Sequence, residues 1–290
     1  SYGDAVTLTA DTTLAGTSIT LAQGAQGAYS LSVTGDLSIG SATGASSLSS
    51  LSVSGTSALN GNVTTTGAQN YQGASTVTGT VVLTSGGRVD FGSTVSGTGD
   101  LTVNSGNVTR FGGTVNLNSL VTDAAGTLAL AGSVTTKGVQ TYGDHVTLEG
   151  KALTLTGTTV TLGAGADGAA SLTILGNAAI TGNVGATTAL TGLDINGTTS
   201  FGGGNIRTTG TQTYGGTLTL LNSASLEGTS VTLTSGANGA GLTVTGNVVM
   251  GANSTSSLTN LSVSGTTALN GGTITTSGAQ TYSGAVTLNG

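Results

Sequence analysis

Residues 138–144 read Gly-Val-Gln-Thr-Tyr-Gly-Asp, and related segments recur at 67–71, 210–214 and 278–282. A fragment of the same motif, Ser-Tyr-Gly-Asp, stands at 1–4. The motif tyrosines therefore fall at positions 2, 71, 142, 214 and 282, a nearly constant spacing. A period this regular indicates stacked copies of one structural unit. We expect one continuous solenoid over 1–290, with repeat units at about 2–70, 71–141, 142–213 and 214–281, and 282–290 starting a further unit.

A second and shorter period, within 81–115, gives the length of one turn. Val-Val-Leu-Thr-Ser-Gly at 81–86 matches Leu-Thr-Val-Asn-Ser-Gly at 101–106, so position 81 aligns with position 101. Most apolar residues in this region occupy odd positions and the charged residues even ones, as in a strand with one buried face. We therefore predict turns of about 20 residues, roughly 14 in all, stacked at the inter-strand distance of ~4.8 Å.

These two periods predict an all-β fold, a single-stranded parallel β-helix (β-solenoid) with three sheets. No window repeats apolar residues at helical spacing for long, and proline, which would interrupt backbone ladders, is absent. Glycines at six-residue spacing supply the bends between short strands. Hexads also build left-handed β-helices. The variable turn length and the usual handedness of strand crossovers favour the right-handed form.

The same offset predicts an aromatic ladder in the interior. Tyr71, Phe91 and Phe111 follow one another at 20-residue steps, so their rings are expected to stack on successive turns. On the outside, Asp90 and Arg110 are expected to be neighbours, in an exposed ion pair that contributes at most ~1 kcal/mol. The remaining motif tyrosines are predicted to mark the repeat in the core: Tyr2, Tyr142, Tyr214 and Tyr282.

Composition narrows the classes of function. Charged residues make up 6% of the chain, the net charge is −6 and the mean hydropathy is +0.25. A disordered chain would combine low hydropathy with high net charge. The negative charge disfavours nucleic acid and anionic membrane surfaces as partners, and the apolar runs are too short for membrane insertion. Without cysteine there are no disulfides and no thiolate metal sites.

The titratable residues do not form a recognisable catalytic motif. The densest charged group comprises Arg88, Asp90, Asp100 and Arg110. Some carbohydrate-active β-helices carry such residues on one flank, but a structural ion pair is the preferred interpretation. His145 is the single histidine, so a zinc site is not expected and a solvated side chain is. We predict a protein that is not an enzyme and has no cofactor and no metal.

Ice binding is a third possibility, because flat Thr-x-Thr arrays on solenoids have that function. The candidate threonines recur about every 70 residues instead of every 20, which makes a poor lattice. β-Propensity on an exposed strand face explains them. They are Thr65, Thr136, Thr208 and Thr276.

The repeats at 135–148 and 275–288 follow the pattern Thr-Thr-Gly-x-Gln-Thr-Tyr-x-Gly/Asp-x-Val-Thr-Leu with small variations. They resemble those of bacterial surface exoproteins of the filamentous haemagglutinin-like (two-partner-secretion) class. The resemblance implies a right-handed β-helix, export through an outer-membrane partner, and a role as an adhesin stalk or filament on the bacterial cell surface.

The partners expected for such a chain are host or surface glycans and the same protein, laterally or end to end. The chain begins and stops inside a repeat, which leaves two sheet edges open for pairing. We expect either a segment of a longer protein or chains that stack end to end, and favour the segment.

Overall fold

The computed structural model describes residues 1–40 and 46–289. Over this range the chain forms parallel β-strands and no helix, wound into a β-solenoid of about 15 turns with about 19 residues in each. The predicted all-β, single-stranded parallel β-helix is thereby confirmed. By their internal contacts the residues group into two compact units, Ser1–Asp144 and His145–Gly290, called unit 1 and unit 2 below.

The strands of unit 1 are short and follow one another with only a few residues between them. They are β1 (Val6–Thr7), β2 (Thr12–Leu21), β3 (Ala25–Gln26), β4 (Ser30–Ile39), β5 (Ser46–Leu48), β6 (Ser50–Val53), β7 (Ser57–Leu59), β8 (Val63–Thr65), β9 (Gln69–Tyr71), β10 (Ser75–Val77), β11 (Thr80–Ser85), β12 (Val89–Phe91), β13 (Val95–Gly97), β14 (Asp100–Ser105), β15 (Val108–Phe111), β16 (Val115–Leu117), β17 (Ser119–Thr122), β18 (Thr127–Leu130), β19 (Val134–Thr136) and β20 (Gln140–Tyr142).

Unit 2 continues in the same style. Its strands are β21 (His145–Leu148), β22 (Ala152–Leu162), β23 (Ala166–Asp167), β24 (Ser171–Ile180), β25 (Gly192–Ile195), β26 (Thr199–Phe201), β27 (Gly204–Arg207), β28 (Thr211–Tyr214), β29 (Leu218–Leu220), β30 (Ala224–Leu233), β31 (Ala237–Gly239), β32 (Leu242–Met250), β33 (Ser254–Leu258), β34 (Leu261–Val263), β35 (Thr267–Leu269), β36 (Gly272–Thr276), β37 (Gln280–Tyr282) and β38 (Val286–Leu288).

Successive turns pair in register, which builds columns of equivalent residues. In unit 1, β11 pairs with β14 along its whole length, so that Val81 lies beside Leu101. Within one turn, β8, β9 and β10 each pair with their own partners, β11, β12 and β13, so the turn contributes to three columns of strands. The step between turns varies along the chain and is shorter where Leu51 lies beside Gln69.

Alternation along each strand separates the interior from the surface. In β11, Val81, Leu83 and Ser85 are buried while the residues between them are half-buried or exposed. Most strands have parallel neighbours in the turns before and after them, so their inward side chains pack on equivalent side chains of those turns. The removal of these apolar columns from water is the main favourable term for the fold.

The longest strands contain a bulge that lets one strand turn a corner. The pairings β2 with β4, β22 with β24, and β30 with β32 each place two residues of the first strand opposite one glycine of the second. In β32 this glycine is Gly246, with φ of 134°. A Cβ atom there would lie 1.9 Å from the Gly228 carbonyl oxygen, so only glycine fits. The next residue, Asn247, accepts a hydrogen bond from the Thr266 amide at 2.9 Å and joins two turns.

Candidate functional site

The glutamine and tyrosine side chains of the Gln-x-Tyr motif are buried, and their polar atoms form hydrogen bonds within the core. In unit 2 the Gln212 Nε2 donates to the main-chain oxygens of Ile206 at 3.1 Å and Glu227 at 2.8 Å. Gln212 Oε1 accepts a hydrogen bond from the Tyr214 hydroxyl at 2.9 Å. Both side chains have 0% exposure, so the glutamine is part of the core. Glu227 lies one turn further on, and the amide therefore ties two turns together.

The threonine that precedes each motif glycine faces inward. Thr65, Thr136 and Thr208 are buried, and each donates its hydroxyl to the carbonyl oxygen of the glycine two residues later. The prediction that they stand on an exposed strand face is therefore wrong. The corner supplies an acceptor, which offsets the cost of burying a hydroxyl. Thr276 makes the same bond and is half-buried. Hydroxyls that point inward cannot form an array for ice.

Copies of the motif occupy different faces of the solenoid. In unit 1, Val63, Tyr71 and Val77 lie on three successive strands of one turn and hence in three different columns. Tyr142 belongs to the column of Val63, and Tyr2 belongs to the column of Val77. In unit 1 each repeat thus ends one strand short of a whole number of turns. The outward residues of these three motif copies therefore face different sides and form no continuous stripe.

The aromatic residues of unit 1 form a stack inside the column of Tyr71. The Tyr71 and Phe91 ring centroids are 5.0 Å apart with 15° between the planes. Phe91 and Phe111 are 5.1 Å apart with 3° between the planes. All three rings have 0% exposure. The stack ends at Leu130, which pairs with Phe111 in the next turn.

The other motif tyrosines differ in burial. Tyr142 and Tyr214 are fully buried, whereas Tyr2 is 44% exposed and Tyr282 is half-buried. Among the described residues, Tyr2 pairs with Leu21 and Tyr282 pairs with Val263. Burial raises the pKa of the Tyr71, Tyr142 and Tyr214 phenols far above their ordinary value. These hydroxyls therefore remain hydrogen-bond donors.

This burial predicts a loss of stability at alkaline pH. The unfolded chain ionises its tyrosines near their ordinary pKa of about 10, whereas the buried ones stay protonated in the folded state. The folded state then holds more protons, and stability falls as pH rises above that value. In an absorbance titration, the signal of three of the six tyrosines should appear only as the circular dichroism of the fold is lost. Ionisation of all six before unfolding would contradict the structure.

The charged group of unit 1 forms one ion pair within a turn and one between turns. Asp90 Oδ2 lies 3.1 Å from Arg88 Nη2, and Asp90 Oδ1 lies 3.7 Å from Arg110 Nη1. Asp100 is on a different strand, where hydrogen bonds from Ser119 and a neighbouring asparagine lower the pKa of its carboxyl. A general acid for glycoside cleavage needs a raised pKa. The environment of Asp100 therefore does not suit that role.

His145 contacts residues of the next turn through both ring nitrogens and is not the purely solvated side chain expected from the sequence. Its Nδ1 lies 2.9 Å from the Ala164 carbonyl oxygen and its Nε2 lies 3.0 Å from Asp167 Oδ2. The other carboxylate oxygen of Asp167 accepts from the amides of Thr187 and Thr188, one turn further on. A carbonyl can only accept, so Nδ1 carries a proton. With both ring nitrogens engaged, the imidazole links neighbouring turns.

A shallow recess recurs at equivalent positions of two repeats, once in each unit. Each copy has a volume of about 450 Å³ and is open to solvent. Hydroxyl and amide side chains line the rim, and one buried leucine forms the floor. The lining residues are Thr7, 26–28, 47–49 and Thr66 in unit 1, and 238–239, 257–259 and 275–277 in unit 2. These recesses are the candidate contact surface for an uncharged polar ligand.

Asp144, at the end of the motif in unit 1, is a buried carboxyl that sequence reasoning missed. It is 1% exposed, and neither carboxyl oxygen has a hydrogen-bond partner. Burial raises the pKa of Asp144 to about 6, and the charge of Asp123 adds to this shift. Asp4 follows the same Tyr-Gly pair and is exposed. The motif alone therefore does not predict burial of its aspartate.

No protein-family model matches the chain, and comparisons with curated proteins and with solved structures find no match either. The residues that the structure describes include no helix of the length and apolarity needed to cross a membrane. Within 1–40 and 46–289, no three or more His, Cys, Asp and Glu side chains group as potential metal ligands. The β-solenoid fold is compatible with a repetitive structural or adhesive rod.

Proposed function

We propose that this chain is a non-enzymatic structural and adhesive rod on the outside of a bacterium, the stalk or filament part of a filamentous haemagglutinin-like surface protein. The observation that carries the proposal is the use of the repeated motif. The glutamines of three motif copies are buried in the core, and each accepts a hydrogen bond from the tyrosine two residues later. They are Gln69, Gln140 and Gln212. The most distinctive repeated residues thus serve the stacking of turns.

The surface fits contact with neutral polar partners. Ser, Thr and Asn side chains dominate the outward positions, and charged residues are few. Some of these charges contact one another across turns, as Asp90 and Arg110 do. We propose that glycans, or neighbouring copies of the same protein, contact the recurrent recesses. Because a recess of this kind recurs in each unit, several weak contacts can add through multivalency.

The test is an adhesion assay with the whole 290-residue chain coated on beads. We expect beads to bind glycan-coated or cell surfaces, and the chain to release no reducing ends from a panel of polysaccharides. Replacing two exposed residues of the unit 2 recess, Thr259→Leu with Ser277→Leu, should reduce bead binding several-fold. The matched control is Thr98→Leu, an exposed threonine outside the recess, which should bind as the original chain does.

Two results would contradict the proposal. Release of reducing ends that is lost in Asp90→Ala would favour a carbohydrate-active protein acting through the charged group of unit 1. Unchanged binding in the double variant would remove the unit 2 recess as a contact surface. Sedimentation measurements over a range of concentrations would then show whether chains associate with one another through a different surface.

A further inference from the structure

One outward face of unit 1 presents short side chains, most of them with hydroxyl groups, in two parallel rows. The face belongs to β7, β10, β13, β16 and β19, which pair in register on successive turns. The middle residue of each of these strands points outward and belongs to the first row. This row consists of Ala58, Thr76, Ser96, Asn116 and Thr135, all of them exposed.

The second row stands two residues earlier, immediately before each strand. Residues two apart along a strand point to the same side, so both rows share one face. Backbone hydrogen bonds keep the second row aligned, because the Ser75 amide donates to the Thr94 carbonyl oxygen and the Val95 amide donates to the Thr114 carbonyl oxygen. The row consists of Thr56, Ala74, Thr94, Thr114 and Ser133. The two rows together are called the hydroxyl face below.

The backbone holds the hydroxyl face at a regular spacing. Parallel strands lie about 4.8 Å apart, and residues two apart along a strand lie about 6.6 Å apart. Val77, Val95 and Val115 point inward from the same strands and are buried, which fixes these strands against the core. None of the side chains in the two rows is charged or aromatic, whereas a neighbouring column carries Asp90 and Arg110 outward.

The size and chemistry of the hydroxyl face disfavour a protein partner. Two rows over five turns at these spacings cover about 300 Å², well below the ~800 Å² that each partner contributes to a stable interface. The rows also present no aromatic ring and no arginine, the side chains that most often anchor a protein interface. A regular array of hydroxyl and methyl groups instead fits a ligand that itself repeats.

We propose that the hydroxyl face binds the surface of ice. Ice presents water molecules at a fixed repeat, and hydroxyls held about 4.8 Å apart on successive turns, close to the shortest repeat of hexagonal ice, can take places in that lattice. The methyl groups of threonine and alanine release water from apolar surface on contact. The threonines that the sequence singled out for ice, such as Thr65, point inward, and the register brings a different set to the surface. This inference is independent of the proposed adhesive function, whose recesses involve other residues.

The experiment grows ice slowly from a dilute solution of the full chain and measures the fraction of protein that enters the ice. We expect the chain to be enriched in the ice, whereas an unrelated acidic protein stays in the liquid. We also expect a measurable gap between the freezing and melting temperatures. The double change Thr76→Lys with Thr94→Lys should lower the fraction in ice at least fivefold, because two long charged side chains keep the face away from the lattice.

The matched control makes the same change on another column of unit 1. Thr64→Lys with Thr84→Lys replaces two exposed threonines that pair on neighbouring turns. It adds the same charge and should leave the fraction in ice unchanged. Exclusion of the original chain from ice would overturn the inference, as would an equal loss in both double variants or no loss in either. Should Thr76→Lys with Thr94→Lys lose its β circular dichroism, the single variant Thr94→Lys decides by the same comparison.

Discussion

Replacing Phe91 with alanine should lower the free energy of unfolding by about 3–5 kcal/mol, the range for removing a buried phenylalanine from a packed core. Phe91 has 0% exposure and is the middle ring of the stack, with Tyr71 at 5.0 Å and Phe111 at 5.1 Å. The change leaves a cavity between two rings that the neighbouring turns hold apart. Urea unfolding followed by far-UV circular dichroism measures the loss.

A matched pair of variants separates stacking from simple burial. Phe201 is also fully buried, but its column neighbours are Ile180 and Leu220, so it has no aromatic partner there. Phe91→Leu should therefore cost about 1–2 kcal/mol more than Phe201→Leu, since it also removes two aromatic contacts. Hydrogen exchange should accelerate in the turns of Tyr71 and Phe111 and remain unchanged several turns away, because a solenoid transmits packing only through neighbours. Equal costs for the two variants would mean that the stack adds nothing to burial.

The fold could be predicted from the sequence because two sequence periods correspond to structural features: the alternation along a strand and the length of one turn. A strand alternates its faces, and turns of near-constant length bring equivalent residues into line, so the sequence pattern alone places Phe91 and Phe111 on successive turns. The ion pair of Asp90 with Arg110 follows from the same register. Short, regular elements with a repeated pattern leave few alternative topologies.

The inward polar residues could not be predicted in this way. Polarity placed Thr65 outside, yet the corner provides the Gly67 carbonyl oxygen as an acceptor 2.6 Å from its hydroxyl. Asp4 and Asp144 share the same local sequence and differ in burial, because burial depends on what the adjoining turns place over them. The change of face between motif copies could have been predicted from the sequence, because a repeat of about 70 residues is not a whole multiple of a turn of about 19 residues.

Replacing Gln212 with leucine should lower the free energy of unfolding by about 2–4 kcal/mol, although leucine is apolar and nearly as large. The change leaves the buried Tyr214 hydroxyl without its acceptor and the carbonyl oxygens of Ile206 and Glu227 without this donor. An unsatisfied buried polar group costs about 1–3 kcal/mol. Burial also keeps the pKa of the Tyr214 phenol high, so ionisation does not relieve the mismatch. Urea unfolding again gives the measurement.

A double-mutant cycle shows whether the motif acts as a unit. Tyr214→Phe alone leaves Gln212 Oε1 without its donor, whereas the double variant removes both partners of the 2.9 Å hydrogen bond. The double variant should therefore be about 1–2 kcal/mol more stable than the sum of the single changes predicts. Gln280→Leu changes the same motif where the glutamine is exposed, and should shift stability by less than about 0.5 kcal/mol because water replaces the lost partners. Additive effects of the single changes, or an equal loss of stability in Gln280→Leu, would contradict a role of the motif glutamine in core packing. The motif would then be a candidate recognition element.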